Sequence, residues 1–383
     1  MVRLLAGILL FTLTGCQSRA QQQPASPTPA LRTEVNEAVS QSRQNAITRA
    51  VEYASQAVVS INVISINVIE VQSRDPFAGF FNDPFFSQFF SEQRTRRVEQ
   101  EVQNLGSGFV ISPDGYIVTN HHVAGNATKV TVSLASGRTL PARLVGSDKA
   151  SDLALIKVDP DEPLPHLNFS SEPDPIVGEW AIALGNPLNL FQASEPTVTV
   201  GVVSGLRRDL GNHDGQLFYD MIQTDASINQ GNSGGPLLNA LGEVIGVNTV
   251  IVSQSGGSIG LGFAIPAARA QRIIEELRLN GRVDRAYYTG LKAVNLTDQI
   301  VAALRLETRQ GILVVELDED SPALHAGLSQ YDVITAVEDE PIRDTDEYVA
   351  RLYDFRPGDT ITHDILREGQ PLRLELNIGR LRN

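Results

Sequence analysis

The stretch NQGNSGGPLLN, residues 229–239, sets Ser233 among Gly231, Gly234 and Gly235. A serine framed this way fits acyl transfer. The tetrahedral oxyanion of that chemistry needs backbone N–H donors at about 2.7–3.1 Å, and glycine lets the main chain approach so closely. Gly231-Asn232-Ser233 is therefore the expected oxyanion-hole segment, with the N–H groups of Gly231 and Ser233 as donors. A hydroxyl alone is a weak nucleophile, so a base and an orienting acid should lie elsewhere in the chain. Two upstream stretches supply them: IVTNHHVAG (117–125), with His121 and His122, and SDLALIKV (151–158), with Asp152. On a strand, alternation turns only one of two adjacent histidines toward a cleft, without saying which.

The surrounding pattern is strand, turn, strand. GFVIS and YIVTN flank Pro113-Asp114-Gly115; VTVSL and TLPARLV flank Ser136-Gly137. WAIALG, VTVGVVSGL, FYDMIQT, LLNALGEVIGVNTVIV (turned at Leu241-Gly242) and GLGFAI continue it. About a dozen short strands without a long helix between them predict an all-β unit of two small antiparallel barrels. A helix is expected around Asn45–Ser55, before the apolar strand AVVSINVISINVIEV. Another closes the region, begun near Pro266, with Ala270, Ile273, Ile274 and Leu277 on one face and a stop at Asn280-Gly281. Residues 282–383 read as a second, smaller α+β unit: strands GILVVEL, DVITAVE, THDILRE and RLELNIG, with the short helix TDEYVARLYDF.

Taken in order, TNHHV, SDLALIKV and GNSGGPL resemble the His…Asp…Ser sequence of the trypsin-like fold. They are more closely similar to the HtrA (Deg) family of bacterial and organellar proteases, over roughly residues 45–380. The resemblance implies His122 as base, Asp152 as orienting carboxylate and Ser233 as nucleophile, with His121 at a variable position. It places Ser227 at the base of the S1 pocket, with Ile228 and Ile251 on its wall; no charge there attracts Lys or Arg, so Val, Ala or Leu is expected at P1. Where trypsin-like proteases carry an aspartate that pairs with a freshly cut N-terminus, this chain has Asn232, so control must come from elsewhere.

Two segments could supply that control. Residues 74–100 hold a run of phenylalanines between Phe77 and Phe90 that would form a large exposed apolar patch on a monomer. The family resemblance implies a homotrimer burying them. RAYYTGLKAV, SPALHAGLSQYDVITAVEDEPI and the late helix look like one PDZ domain of the bacterial, circularly permuted kind. Tyr288-Thr289-Gly290-Leu291 then matches a carboxylate-binding loop for C-terminal peptides, which would add as a strand to the sheet edge. Two departures stand out: Tyr331 where a glycine is usual before Asp332, and Thr289 at a usually aliphatic position. Arg208 matches a family position that relays PDZ occupancy to the activation loops.

Composition sets outer limits. The chain has 383 residues and a formal net charge of −14, with no Lys/Arg-dense patch, which argues against nucleic acid as a partner. Six scattered histidines and one cysteine give no metal-ligand spacing, and no cofactor is expected. MVRLLAGILLFTLTGC begins with Arg3 and the apolar run Leu4–Leu13, too short for a relaxed span and suited to a signal-peptide core. Leu13-Thr14-Gly15-Cys16 resembles the bacterial lipobox, which implies a lipoprotein signal over 1–15, lipidation of Cys16 and an envelope protein on the periplasmic side. Gln17 favours the outer membrane. The Gln/Pro/Ser-rich residues after Cys16 read as a tether to residue 44, followed by a protease domain over 45–281 and a PDZ domain over 282–383. The expected activity is cleavage of misfolded or unfolded proteins in envelope quality control under stress. A chaperone-like peptide binder and a regulatory protease with one substrate are the alternatives.

Overall fold

The computed structural model describes residue 40 and residues 43–72, 95–172, 174–186, 195–213, 215–229, 231–251, 259–306 and 308–381; side chains of 66–72, 95–103, 213 and 250–251 are outside that description. Cys16, the tether up to residue 39 and the phenylalanine run fall outside the described residues. The chain divides into two compact units, Met1–Asn45 and Ala46–Asn383, and everything below concerns the second.

Helix α1 (Ala46–Ser55) leads into β1 (Val58–Gln72), β2 (Thr95–Val110) and β3 (Tyr116–Thr119), followed by the short helix α2 (His121–Ala124). With β4 (Lys129–Ser133), β5 (Thr139–Asp148) and β6 (Leu153–Val158) these strands close a barrel in the order β1-β2-β3-β6-β5-β4. Its tight turns rest on glycines in the left-handed region, Gly115 at φ 99° among them. The continuous apolar run of β6 is buried along its whole length between β3 and β5. Its one charged side chain, Lys157, stays buried because its ammonium donates to Asp114 O at 2.5 Å and Val158 O at 2.8 Å.

The second barrel uses β7 (Trp180–Gly185), β8 (Thr197–Arg208), β11 (Met221–Thr224), β12 (Pro236–Leu238), β13 (Val244–Ile251) and β14 (Gly262–Pro266), ordered β11-β14-β13-β12-β7-β8. Between β8 and β11 stands a separate hairpin of β9 (Gly211–His213) and β10 (Gln216–Phe218). Helix α3 (Ala267–Asn280) follows. It buries the expected face, Ala270, Ile273, Ile274 and Leu277, and ends at Gly281, whose φ of 70° lets its N–H return to Leu277 O at 2.9 Å. Truncating such a fully packed isoleucine to alanine typically costs about 2–5 kcal/mol, so this face fixes where α3 lies.

The remaining sheet runs β16 (Leu291–Asn295), β17 (Ile312–Leu317), β18 (Val333–Val337), β20 (Thr360–Arg367), β21 (Gln370–Asn377), with β19 (Glu340–Pro341) beside β18 and the pair β15 (Tyr287–Tyr288) and β22 (Gly379–Arg380) apart. Helices α4 (Asp298–Leu304), α5 (Pro322–His325) and α6 (Thr345–Leu352) complete it; Thr297 caps α4, and Ser321 with Pro322 behind it caps α5. This sheet has its own core, including Val314, Ile334, Tyr348 and Ile365. Ion pairs join it to the barrels: Arg269 to Asp354 at 2.7 Å, Arg285 to Asp148 at 2.5 Å and Arg356 to Glu276 at 2.8 Å. Each of these arginines is mostly buried, a setting in which losing one partner costs far more than at the surface.

Candidate active site

The two adjacent histidines stand on a helical turn, not on a strand as expected. β3 stops at Thr119, and Asn120 precedes α2 with its Nδ2 donating to Asp152 O at 3.0 Å. On that turn the side chains still part company. His122 Nδ1 lies 2.8 Å from Asp152 Oδ2 and 3.0 Å from Oδ1. His121 turns away to Ser147 Oγ, 3.2 Å distant, and burial holds its imidazole below the usual histidine range despite nearby Asp152 and Asp148.

Asp152 is only 1% exposed while the His122 side chain is 44% exposed, so the acid is sealed in and the base faces solvent. A buried carboxylate is tolerable only when its lone pairs are satisfied. Here Oδ1 also accepts from His122 N at 3.0 Å and from Gln216 Nε2 at 2.8 Å, and Oδ2 accepts from Thr249 Oγ1 at 2.5 Å. The Asp152 carbonyl receives His121 N at 3.0 Å as well as Asn120. Its φ of 56° is a left-handed conformation that aspartate adopts more readily than most residues.

Ser233 is buried, and its Oγ donates to Thr249 O at 3.1 Å; no hydrogen bond joins it to His122 among the described residues. The loop around it is tied down by Ser107, whose Oγ donates to Gly231 O at 2.5 Å and accepts from Asn186 N at 2.7 Å, while Ser107 N donates to Ser233 O at 3.1 Å. Gly234, at φ 83°, lies so close that a Cβ there would meet Ser107 O at 2.3 Å. Asn232 donates its side-chain amide to Ser227 O at 2.9 Å and its N–H to Asn229 O at 2.9 Å, so the loop is braced by neutral hydrogen bonds where an ion pair was missing. Neither Gly231 N–H nor Ser233 N–H has a partner among the described residues.

Ser227 offers its carbonyl to Thr199 Oγ1 at 2.8 Å. Ile228 is fully buried in the second-barrel core with Ala226 and Ala264. The Ile251 side chain lies outside the described residues. Arg208 Nε donates to Gln223 Oε1 at 3.1 Å, whereas its neighbour Arg207, at φ 54°, reaches across to Glu340 at 3.3 Å. In the smaller domain, Gly290 sits at φ 73° and its carbonyl accepts from Asp318 N at 2.8 Å. Thr289 O accepts from Ala323 N at 2.9 Å, and Tyr288 OH donates to Asp318 Oδ2 at 2.7 Å. Leu291 opens β16, which pairs on one side with β17 and faces α6 on the other, where Thr345 N donates to Asn295 Oδ1 at 2.8 Å. Among the described residues no cluster of three His, Cys, Asp or Glu side chains could hold a metal ion.

Ser107, Thr249 and Gln216 had no signal in the sequence reading. Ser107 and Thr249 act through geometry that the closed barrels create, and Gln216 through the separate β9–β10 hairpin.

Two six-stranded barrels carrying a His–Asp pair and a glycine-framed serine, followed by a small sheet with its own core, define a trypsin-like peptidase fold joined to a PDZ domain. Family signatures agree: a trypsin-like peptidase domain matches residues 106–247 and a PDZ domain residues 289–378. A probable periplasmic serine endoprotease described as DegP-like from Rickettsia conorii is 38% identical over 353 residues, covering 90% of this chain and 68% of that protein. One of the same description from Chlamydia trachomatis is 42% identical over 311 residues; the match covers 80% of this chain and 61% of the relative's length. Among solved structures, the HtrA-type protease AlgW with a decapeptide aligns at a TM-score of 0.63 and 34% identity, over 88% of this chain and 99% of the other. The chain belongs to the HtrA/DegP-like family of serine endoproteases.

Proposed function

We propose that the chain is an exported serine endopeptidase that cleaves unfolded proteins in the cell envelope. The observation that carries this reading is the His122 imidazole held on a buried, fully hydrogen-bonded Asp152, with Ser233 on a glycine loop where the Gly231 and Ser233 N–H groups have no partner among the described residues. Ser233 Oγ attacks the scissile carbonyl carbon as His122 Nε2 takes its proton. Gly231 N–H and Ser233 N–H receive the oxyanion, and each such donor is typically worth about 10²–10³ in rate. The leaving amine takes the proton back from His122, and water then releases the acyl group by the same route. Asp152 holds the imidazole in the right tautomer throughout.

The Ser233 hydroxyl must turn from Thr249 O before His122 can take its proton. This fits an enzyme whose peptide-binding domain governs its active site, with Tyr288, Thr289, Gly290 and Leu291 as the carboxylate loop and Arg208 in the relay. Ser227, Ile228 and Ile251 form the proposed S1 pocket for small aliphatic side chains. Lipidation at Cys16 and a trimer closed by the Phe77–Phe90 run complete the proposal; relatives named as periplasmic endoproteases support the location.

The test is hydrolysis of a disulfide-free unfolded protein by the full chain beside Ser233→Ala, with and without hydrophobic C-terminal peptides. Cleavage by the parent alone, rising with peptide, is the expected result. Binding of unfolded chains without cleavage under any condition would replace the endopeptidase with a chaperone.

A further inference from the structure

We propose that Gln216 is a positioning residue for catalysis, fixing Asp152 from a hairpin that belongs to neither barrel. The inference rests on the reading of Asp152 as the carboxylate that orients His122.

A carboxylate presents about four lone-pair sites. At Asp152, Oδ1 takes His122 N and Gln216 Nε2, and Oδ2 takes Thr249 Oγ1 and the closer contact of His122 Nδ1. Three of those four donors come from β13 and the α2 turn, which are built into the barrels. Gln216 alone comes from the β9–β10 hairpin, and its 2.8 Å bond fills the last site.

The hairpin is made to deliver that side chain. Gly215, at φ 85°, forms the turn with its N–H on Asn212 Oδ1 at 3.0 Å, and His213 pairs with Gln216 across it. The next residue, Leu217, donates its N–H to Ala150 O at 2.8 Å, so the strand is pinned by its main chain two residues from Asp152. Leu210 N then closes onto Phe218 O at 2.7 Å, with the Phe218 ring buried below. Side chain and backbone of adjacent hairpin residues therefore grip the same turn.

Asp152 needs such a grip. Its left-handed φ of 56° persists only where surrounding bonds over-determine it. Without the Gln216 donor, Oδ1 keeps the His122 N–H but gains freedom to rotate about the Cβ–Cγ bond. The Nδ1 contact then loosens and the imidazole is less well aimed at Ser233. Misplacement of a catalytic group lowers the turnover number more than substrate binding.

Two variants of the full chain separate hydrogen-bond donation from packing. Gln216→Met keeps side-chain length and removes the donor; Gln216→Glu keeps the shape and sets a carboxylate against Asp152. Each is assayed on fluorescein-labelled casein for kcat and KM, with a melting curve, and by proton NMR of the His122 Nδ1 hydrogen. Gln216→Met is expected to lose on the order of 3- to 10-fold in kcat at unchanged KM, with the Nδ1 resonance displaced. Gln216→Glu is expected to lose more at the pH where its carboxyl ionises against Asp152, with a lower Tm there. A kcat within twofold of the parent in both variants overturns the proposal. Equal losses in both with an unmoved Nδ1 resonance also overturn it, because then only hairpin packing was disturbed. Ser233→Ala in the same assay guards the underlying reading: hydrolysis that survives it means the triad assignment fails, whereas its absence leaves the Gln216 result to stand alone.

Discussion

The turn at Asp152 and the turn at Gly290 both bend the backbone into the left-handed region, at φ 56° and 73°. They solve opposite problems. At the first, the carboxylate belongs to the chain, so a side chain is required and the conformational cost of placing it there is accepted. Donors from the α2 turn, β13 and the β9–β10 hairpin hold it. At the second, the proposed carboxylate arrives on a peptide, and the backbone itself must come close. A Cβ on Gly290 would meet Ser321 Cβ at 2.2 Å, so only glycine fits beneath that wall. At Asp152 the left-handed backbone carries a side chain with four hydrogen-bond contacts, and at Gly290 it carries none.

The sharpest way to break this contrast is Asp152→Asn. It leaves shape and backbone intact but presents an N–H₂ where only acceptors are wanted, so His122 takes the wrong tautomer. Activity on unfolded substrate should fall by about 10³–10⁴ in a protein that still folds, with a lower melting temperature from the unsatisfied buried donors. Wild-type turnover in this variant would remove Asp152 from the mechanism. Next comes Gly290→Ala, which adds the left-handed penalty to the Ser321 clash. A loss of about 3 kcal/mol in PDZ stability is expected, together with peptide binding, while basal hydrolysis persists. Calorimetric titration with a hydrophobic C-terminal peptide checks it; undiminished binding would move the carboxylate site elsewhere.

Asp152 has a partner for every lone pair, whereas the PDZ core holds His363, whose Nε2 meets Tyr348 OH at 3.1 Å and whose Nδ1 has no partner among the described residues. Burial lowers this imidazole from its ordinary 6.5 to about 4, against the opposing pull of Glu338 and Asp364. Above pH 6.5 it is neutral both folded and unfolded. As pH falls below that, the unfolded chain binds a proton that the folded core refuses until about pH 4, so stability is lost across that window. The loss should reach roughly 2–3 kcal/mol near pH 4, and His363→Leu should flatten it in thermal melts followed at Tyr348.

How much of this was written in the sequence depends on how local the physics is. The face of α3 and its glycine stop, the hairpin turns at Gly115 and Gly242, and the apolar strand β6 follow from neighbours a few residues apart, and they appear where expected. The serine loop and the His–Asp pair were legible because three motifs had to agree. The helical turn under His121 and His122 was not, since four residues are too few to give a period. Thr249 and Gln216 carry no motif, because their use depends on β13 and a hairpin meeting the Asp152 turn in space. The same holds for Arg207, which bridges to Glu340 beside the arginine that the family pattern singles out.

Tyr331 also lies in the left-handed region. It occupies φ 72°, nearly the value of Gly290, yet its side chain is 59% exposed and neither turn chemistry nor packing requires it. Its N–H closes onto Val314 O at 2.8 Å, and Asp332 behind it is held by Arg367 at 2.7 Å, so the turn is fixed by its neighbours. Tyr331→Gly should relieve the left-handed penalty and give back part of the gain through a freer unfolded chain. The expected net is a stabilisation of about 0.5–1 kcal/mol, read as a small rise in denaturation midpoint with peptide affinity unchanged. Destabilisation instead would mean that the Tyr331 ring holds the turn, and that strain at this position, as at Asp152, is kept for the sake of a side chain.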